Sequence, residues 1–178
     1  MWDANDVRKH RKCSQPSLVE DELVAFIRSY ASARGDLLEF LESTGFIPHP
    51  LEVFCPSPKH CWVDVAAVKG PDLWAFEYKS RSDSIRRGFE QCRSYARAFN
   101  YVVLVADRLR VTSSPYFSKF LREGFGVWRH NGSGFYSIVP PKRRSITREA
   151  RVVVERQFRR VRPPSGFDRS IKEWLNQD

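Results

Sequence analysis

Long apolar runs are missing from this chain. The longest, YVVLVA at 101–106, is the size of a single strand and far short of a membrane span, so no membrane helix is expected. The first residues, MWDANDVRKHRKC, lack the apolar centre of a secretion signal, and a cytoplasmic protein is expected. Cysteine is sparse as well. Cys13, Cys55, Cys61 and Cys92 are too few and too scattered for the disulfide framework of a small secreted domain. Cys55 and Cys61 flank a turn, PSPKH, with His60 beside them, but a zinc knuckle needs closer Cys-x-x-Cys spacing and a second ligand pair. Two ordinary thiols at strand ends are the plainer reading, and a local disulfide is open to them. Acid is in deficit too. Lys and Arg total 30 against 21 Asp and Glu, a formal charge of +9. Such an excess points to an anionic partner, nucleic acid being the commonest for a basic domain, with a merely solvated surface as the alternative.

What is present describes a folded α/β chain. Hydrophobic residues at 42% and aromatics at 13% are too abundant for disorder, and 178 residues suffice for one domain with a proper core. Residues 1–16 read as a polar, basic arm. SLVEDELVAFIRSY (17–30) places Leu18, Val19, Leu23, Phe26, Ile27 and Tyr30 on one helical face. GDLLEFLESTG (35–45) reads as a second, shorter helix closed by Gly45. Three strands follow, LEVFC (51–55), WVDVAAV (62–68) and LWAFEYK (73–79), parted by turns rich in Pro, Ser, Gly and Asp. A helix over 84–99 carries an apolar stripe of Ile85, Phe89, Cys92, Ala96 and Phe99, with Gln91 and Tyr95 beside it. YVVLVA is a strand buried on both faces. Ser114-Pro115 reads as a helix start, with the helix ending near Gly124, and NGSG joins a hairpin of FGVWRH and GFYSIVP. A basic helix is expected over 145–161. The string predicts a mixed sheet with helices packed against it.

The segment GPDLWAFEYKS concentrates the chemistry. Alternation along a strand projects Glu77 and Lys79 to one side with Leu73 and Ala75, while Trp74, Phe76 and Tyr78 face the other. Opposite charges at the end of a buried strand are costly unless paired or put to use. Asp72 is a tempting partner, but it sits five residues before Glu77, about 15–17 Å away if extended, and Lys69-Gly70-Pro71-Asp72 is ordinary turn chemistry. Asp64, an acid among apolar strand residues, falls opposite the stretch containing Glu77 if the hairpin turns near residue 70. Two facing carboxylates repel unless a cation lies between them, and oxygen ligands suit Mg²⁺ or Mn²⁺. A plain surface ion pair at Glu77–Lys79 and a bulge cap at Asp64 are the bland alternatives.

Asp64 on the second strand and EYK (Glu77, Lys79) on the third, 77 − 64 = 13 residues apart, resemble the PD-(D/E)XK nuclease superfamily. The order helix, three-stranded meander, helix, strand is similar to that family's core, and Val63 stands where the motif's proline would be. The resemblance implies a restriction-endonuclease-like three-layer α/β core over 17–140, with 141–178 as a basic helical extension. It implies a metal-dependent deoxyribonuclease in which Asp64, Glu77 and the carbonyl of Tyr78 hold Mg²⁺ or Mn²⁺ and Lys79 positions or activates water. The family often adds an acid from the first helix; Glu22 is the candidate, Glu20 the reserve, and a helix-start carboxylate the alternative for both. QCRSY (91–95) is similar to the Gln-x-x-x-Tyr motif of the RecB-like branch, which implies a role for Gln91 in orienting the site and DNA. Repair, recombination and defence are compatible roles. Holliday-junction resolvases share the small basic build and act as dimers, which leaves a homodimer open. Arg81, Arg86, Arg87 and the tail PKRRSITREARVVVERQFRRVRPP are expected to contact phosphates. A nuclease fold that binds nucleic acid without cutting it is the rival, and RNA is a weaker alternative substrate.

Overall fold

The computed structural model describes residues 20–57, 61–106, 111–131 and 134–160, with side chains from Tyr30 onward. The expected arm at 1–16, the stretch beyond Arg160, His60 and the side chains of Glu20 and Glu22 lie outside the described residues. The chain divides into two compact units, Met1–Ser32 and Ala33–Asp178. Of the first, the described part is helical backbone from Glu20. The order of described elements is α1 (Glu20–Ser43), β1 (Ile47–Pro48), β2 (Val53–Cys55), β3 (Cys61–Val63), β4 (Val65–Lys69), β5 (Asp72–Lys79), α2 (Ile85–Tyr95), β6 (Tyr101–Ala106), α3 (Phe117–Glu123), β7 (Gly126–His130), β8 (Phe135–Val139) and α4 (Arg148–Arg160).

Six strands form one mixed sheet in the order β1-β4-β5-β6-β7-β8, and β2 and β3 form a separate pair. β1, β4 and β5 run antiparallel to their neighbours, β5, β6 and β7 run parallel, and β8 returns antiparallel to β7. The parallel steps need crossovers, which α2 and α3 supply. The β4–β5 turn is tight because Gly70 takes φ +55°, in the left-handed region, and Pro71 follows, so that Lys69 pairs with Asp72.

Alternation on β5 separates two packed layers. Leu73 and Ala75 join Phe89, Cys92 and Tyr95 of α2, Phe120 of α3, and Val154 and Phe158 of α4 in one core. On the opposite face Trp74 and Phe76 meet Phe46, and Phe40 of α1 packs on Trp128 and Phe135. The protein is an α/β fold with a mixed sheet between helices. The basic helix α4 belongs to this core through Val154 and Phe158. Its Gln157 also docks on β2, donating to the Phe54 carbonyl (2.9 Å) and accepting from the Phe54 amide (2.8 Å), so a side chain occupies that strand's edge.

Several boundaries differ from expectation. The two helices expected over 17–30 and 35–45 are one, Glu20–Ser43: Gly35 costs a helix about 1 kcal/mol relative to Ala, too little to break it. Gly45 does terminate it, at φ +80°. The helix expected to reach residue 99 stops at Tyr95 and continues as turns. Ser114 caps a turn, its Oγ accepting from the Tyr116 amide, and α3 begins at Phe117. YVVLVA is buried at every residue but the first.

Candidate active site

WVDVAAV is not one strand. Val63 pairs with Val53 in the small sheet and Val65 pairs with Phe76 in the large one, so the chain changes sheets at Asp64. The bend is fixed by Arg34, whose guanidinium donates to the Asp64 carbonyl (3.1 Å) and to that of Pro50 (2.9 Å). The next register position beyond Val65 and Phe76 sets Asp64 against Glu77. There the ladder has ended, and the Asp64 carboxylate takes the place of a strand partner: its Oδ2 accepts the Tyr78 amide at 2.9 Å. In an antiparallel pair one residue's N–H and C=O point to the same neighbour, so the Tyr78 carbonyl is directed to the same edge.

Glu77 is fully buried and Lys79 nearly so. Glu77 Oε1 accepts from Lys79 Nζ at 2.5 Å and its Oε2 accepts from the Tyr95 hydroxyl at 2.5 Å. The same hydroxyl lies 2.8 Å from the Trp62 carbonyl, two residues before Asp64. Burial, and then the charge of Asp64, push the Glu77 carboxyl up to about 8, against the pull of Lys79 and Tyr95. Burial opposes the Lys79 ammonium, but Glu77 and Asp64 outweigh it and hold its pKa above the ordinary lysine value. Burial and the same two carboxylates raise the Tyr95 phenol, which stays a hydrogen-bond donor.

The chain leaves the site through a turn in which Asp83 accepts from the Ser80 amide (2.9 Å) and hydroxyl (2.8 Å), and Ser84 then caps α2. Gly88 lets that helix approach closely. A Cβ there would lie 2.9 Å from Leu104 Cδ1 and 3.2 Å from Lys79 Cγ and Cε. Gly88 is not among the residues expected at the site, and Tyr95 is expected there only as part of the Gln-x-x-x-Tyr pattern, with no role of its own. Tyr95 belongs in the core, not beside the apolar stripe: three residues after Cys92 and seven after Gly88, it continues the buried face of the helix. A glycine inside a helical pattern is a readable sign of close backbone approach.

The remaining candidates fall into place as follows. Asp72 lies at the opposite end of β5 and is bound to Arg143 at 2.9 Å, a turn residue with its own ion pair. Gln91 sits one helical turn before Tyr95. Its Oε1 is buried with no hydrogen-bond donor among the described residues, and it does not bond the carboxylates. Arg81, Arg86 and Arg87 are exposed on the segment leading from Lys79. Among the described residues no group of three or more His, Cys, Asp and Glu gathers as a metal cage. The donors at hand are two carboxylates and a strand-edge carbonyl, an all-oxygen set of the kind that suits a hard divalent cation completed by water. A cation between Asp64 and Glu77 would offset the burial that chiefly raises Glu77 as well as the charge of Asp64, and it would take the place of a hydrogen bond that a Glu77 oxygen now accepts from Lys79 or Tyr95.

No protein-family model and no curated protein matches the chain. Among solved structures it is similar to the SPO1766 protein of unknown function from Silicibacter pomeroyi, at a TM-score of 0.53 and 18% identity, over 81% of this chain and 88% of that one. The likeness extends to the fold and carries no activity with it.

Proposed function

We propose that this protein is a divalent-metal-dependent nuclease that hydrolyses DNA phosphodiester bonds with a PD-(D/E)XK-type site. The observation that carries the reading is the meeting of Asp64, Glu77 and Lys79 where the β4–β5 ladder ends, with the Glu77–Lys79 pair buried at a place where apolar residues are often at least as stable. Asp64, Glu77 and the Tyr78 carbonyl would hold Mg²⁺ or Mn²⁺, which when bound lowers the pKa of water and polarises a phosphoryl oxygen. Lys79, whose pKa is held above the ordinary lysine value, supplies a fixed positive charge where negative charge develops on phosphate. Gln91 offers a buried acceptor with no donor among the described residues, suited to a hydrogen bond from water or nucleic acid. The exposed Arg81, Arg86 and Arg87, and Arg148, Arg156, Arg159 and Arg160 on α4, supply phosphate contacts.

The test is incubation with plasmid and short duplexes in Mg²⁺, Mn²⁺ or EDTA, with RNA in parallel. Cleavage is expected with either metal and not with EDTA. Asp64→Ala and Lys79→Ala should each reduce it by about 10²-fold or more. Tight binding without cleavage in any metal would replace the nuclease with a binding module on the same fold.

A further inference from the structure

The small β2–β3 sheet holds a second reactive group that the site above does not use. Cys55 and Cys61 are direct cross-strand partners at the end where the chain turns from β2 to β3. Both are free thiols. Cross-strand partners have Cα atoms about 4.5–5.5 Å apart, within the range a disulfide spans without moving backbone. The two environments differ. Cys55 is fully buried, and its Sγ lies 3.6 Å from the Ser94 carbonyl, to which it donates. Cys61 is partly exposed, and its Sγ lies 3.4 Å from the Ser57 hydroxyl.

We propose that Cys55 and Cys61 are a reversible redox pair, with Cys61 the thiol attacked first by an oxidant such as hydrogen peroxide and Cys55 the thiol that resolves it into a disulfide. The chemistry follows from the asymmetry. Cys61 is the more exposed and the more acidic of the two: Cys55 and the Ser57 hydroxyl hold its pKa below the ordinary thiol value, while Cys61 and burial push Cys55 well above it. The Cys61 thiolate attacks one peroxide oxygen. The O–O bond breaks, hydroxide leaves, and Cys61 becomes a sulfenic acid. Cys55 sulfur then attacks Cys61 sulfur, forming the S–S bond and expelling hydroxide, which takes up the Cys55 proton as water. Two electrons pass from the sulfurs to peroxide, and a dithiol reductant reverses the step.

The pair is coupled to its surroundings by short paths. Oxidation removes the S–H that Cys55 gives to Ser94, the residue before Tyr95, and cross-links β3, whose last residue, Val63, precedes Asp64. The proposal does not rest on the nuclease reading, because the thiol chemistry is measured directly.

The full chain is titrated with hydrogen peroxide under native conditions, quenched by alkylation, and mapped by mass spectrometry before and after dithiothreitol. Expected is an intrachain 55–61 cross-link that forms while Cys92 remains a thiol and that dithiothreitol fully reverses. Iodoacetamide should modify Cys61 about 10-fold or more faster than Cys92 in the reduced protein. In Cys55→Ser the cross-link is lost, and a sulfenic acid accumulates at Cys61 that dimedone traps. Persistence of both thiols while peroxide consumes other cysteines, or a stable Cys61 sulfenic acid in the wild-type chain, would overturn the proposal. Wild-type mapping alone decides it, should the serine variant fold poorly.

Discussion

Glu77 is the residue whose environment conflicts most with its charge. Its folded pKa of about 8 lies above the ordinary 4.5, so between those values the folded chain keeps a proton that the unfolded chain has released. The contribution of this carboxyl to stability is therefore fully present below about pH 4.5 and is lost as pH rises through 8. Lys79 does not cancel the trend: its raised pKa adds stability that is present throughout that window and fades only at higher pH. Denaturant unfolding in EDTA should show stability falling across the window, and Glu77→Gln should flatten the fall. Gly88 is the second telling residue. In Gly88→Ala the new methyl would press on Leu104 and on the stem of Lys79, at an overpacking cost of about 1–3 kcal/mol. Cleavage by Gly88→Ala should fall further than its loss of folded fraction explains, since the displaced atoms carry the ammonium.

At the scale of elements, Tyr95 links helix α2 to two strands by one hydroxyl, bonded to Glu77 on β5 and to Trp62 on β3. Tyr95→Phe keeps the packing and removes the one hydroxyl proton that lies between a buried Glu77 oxygen and the Trp62 carbonyl. A loss of about 1–3 kcal/mol is expected in equilibrium unfolding. Much of this arrangement could be read in advance. The period-two pattern of LWAFEYK separates Glu77 and Lys79 from the aromatic face, and Gly70-Pro71 fixes the register that sets Asp64 against Glu77. The sheet change at Asp64 could not, because an apolar run interrupted by one acid looks the same as one strand or as two. Nor could the continuity of α1, where packing of Leu37 and Leu41 outweighs the weak propensity of Gly35. The tail at 145–161 shows helical periodicity and charge, yet charge alone does not reveal that Phe158 is buried against β-sheet core residues.

At the scale of the whole molecule, a formal +9 spread over 178 residues forms a field that acts on any polyanion before side chains meet it. Its source divides in two. Arg86 and Arg87 are exposed on the segment that leaves the candidate site, whereas Arg156, Arg159 and Arg160 are exposed on α4, a helix held in place by Val154 and Phe158. Under the nuclease reading these sets have different work. Phosphate contacts bind without regard to sequence, and each one released by mutation lowers the slope of log affinity against log salt by about 0.9. Removing Arg156 and Arg159 together, as alanines, should weaken binding of unrelated duplexes alike and reduce the slope, with little change in the cleavage rate at saturating DNA. Removing Arg86 and Arg87 should also reduce the slope and should slow cleavage at saturation, because phosphates held there sit next to Lys79. Fluorescence-anisotropy titrations over a salt series in EDTA, paired with single-turnover cleavage in Mg²⁺, separate the two. Equal effects of both pairs on the saturated rate would mean that the basic residues near α2 bind no closer to the chemistry than those on α4.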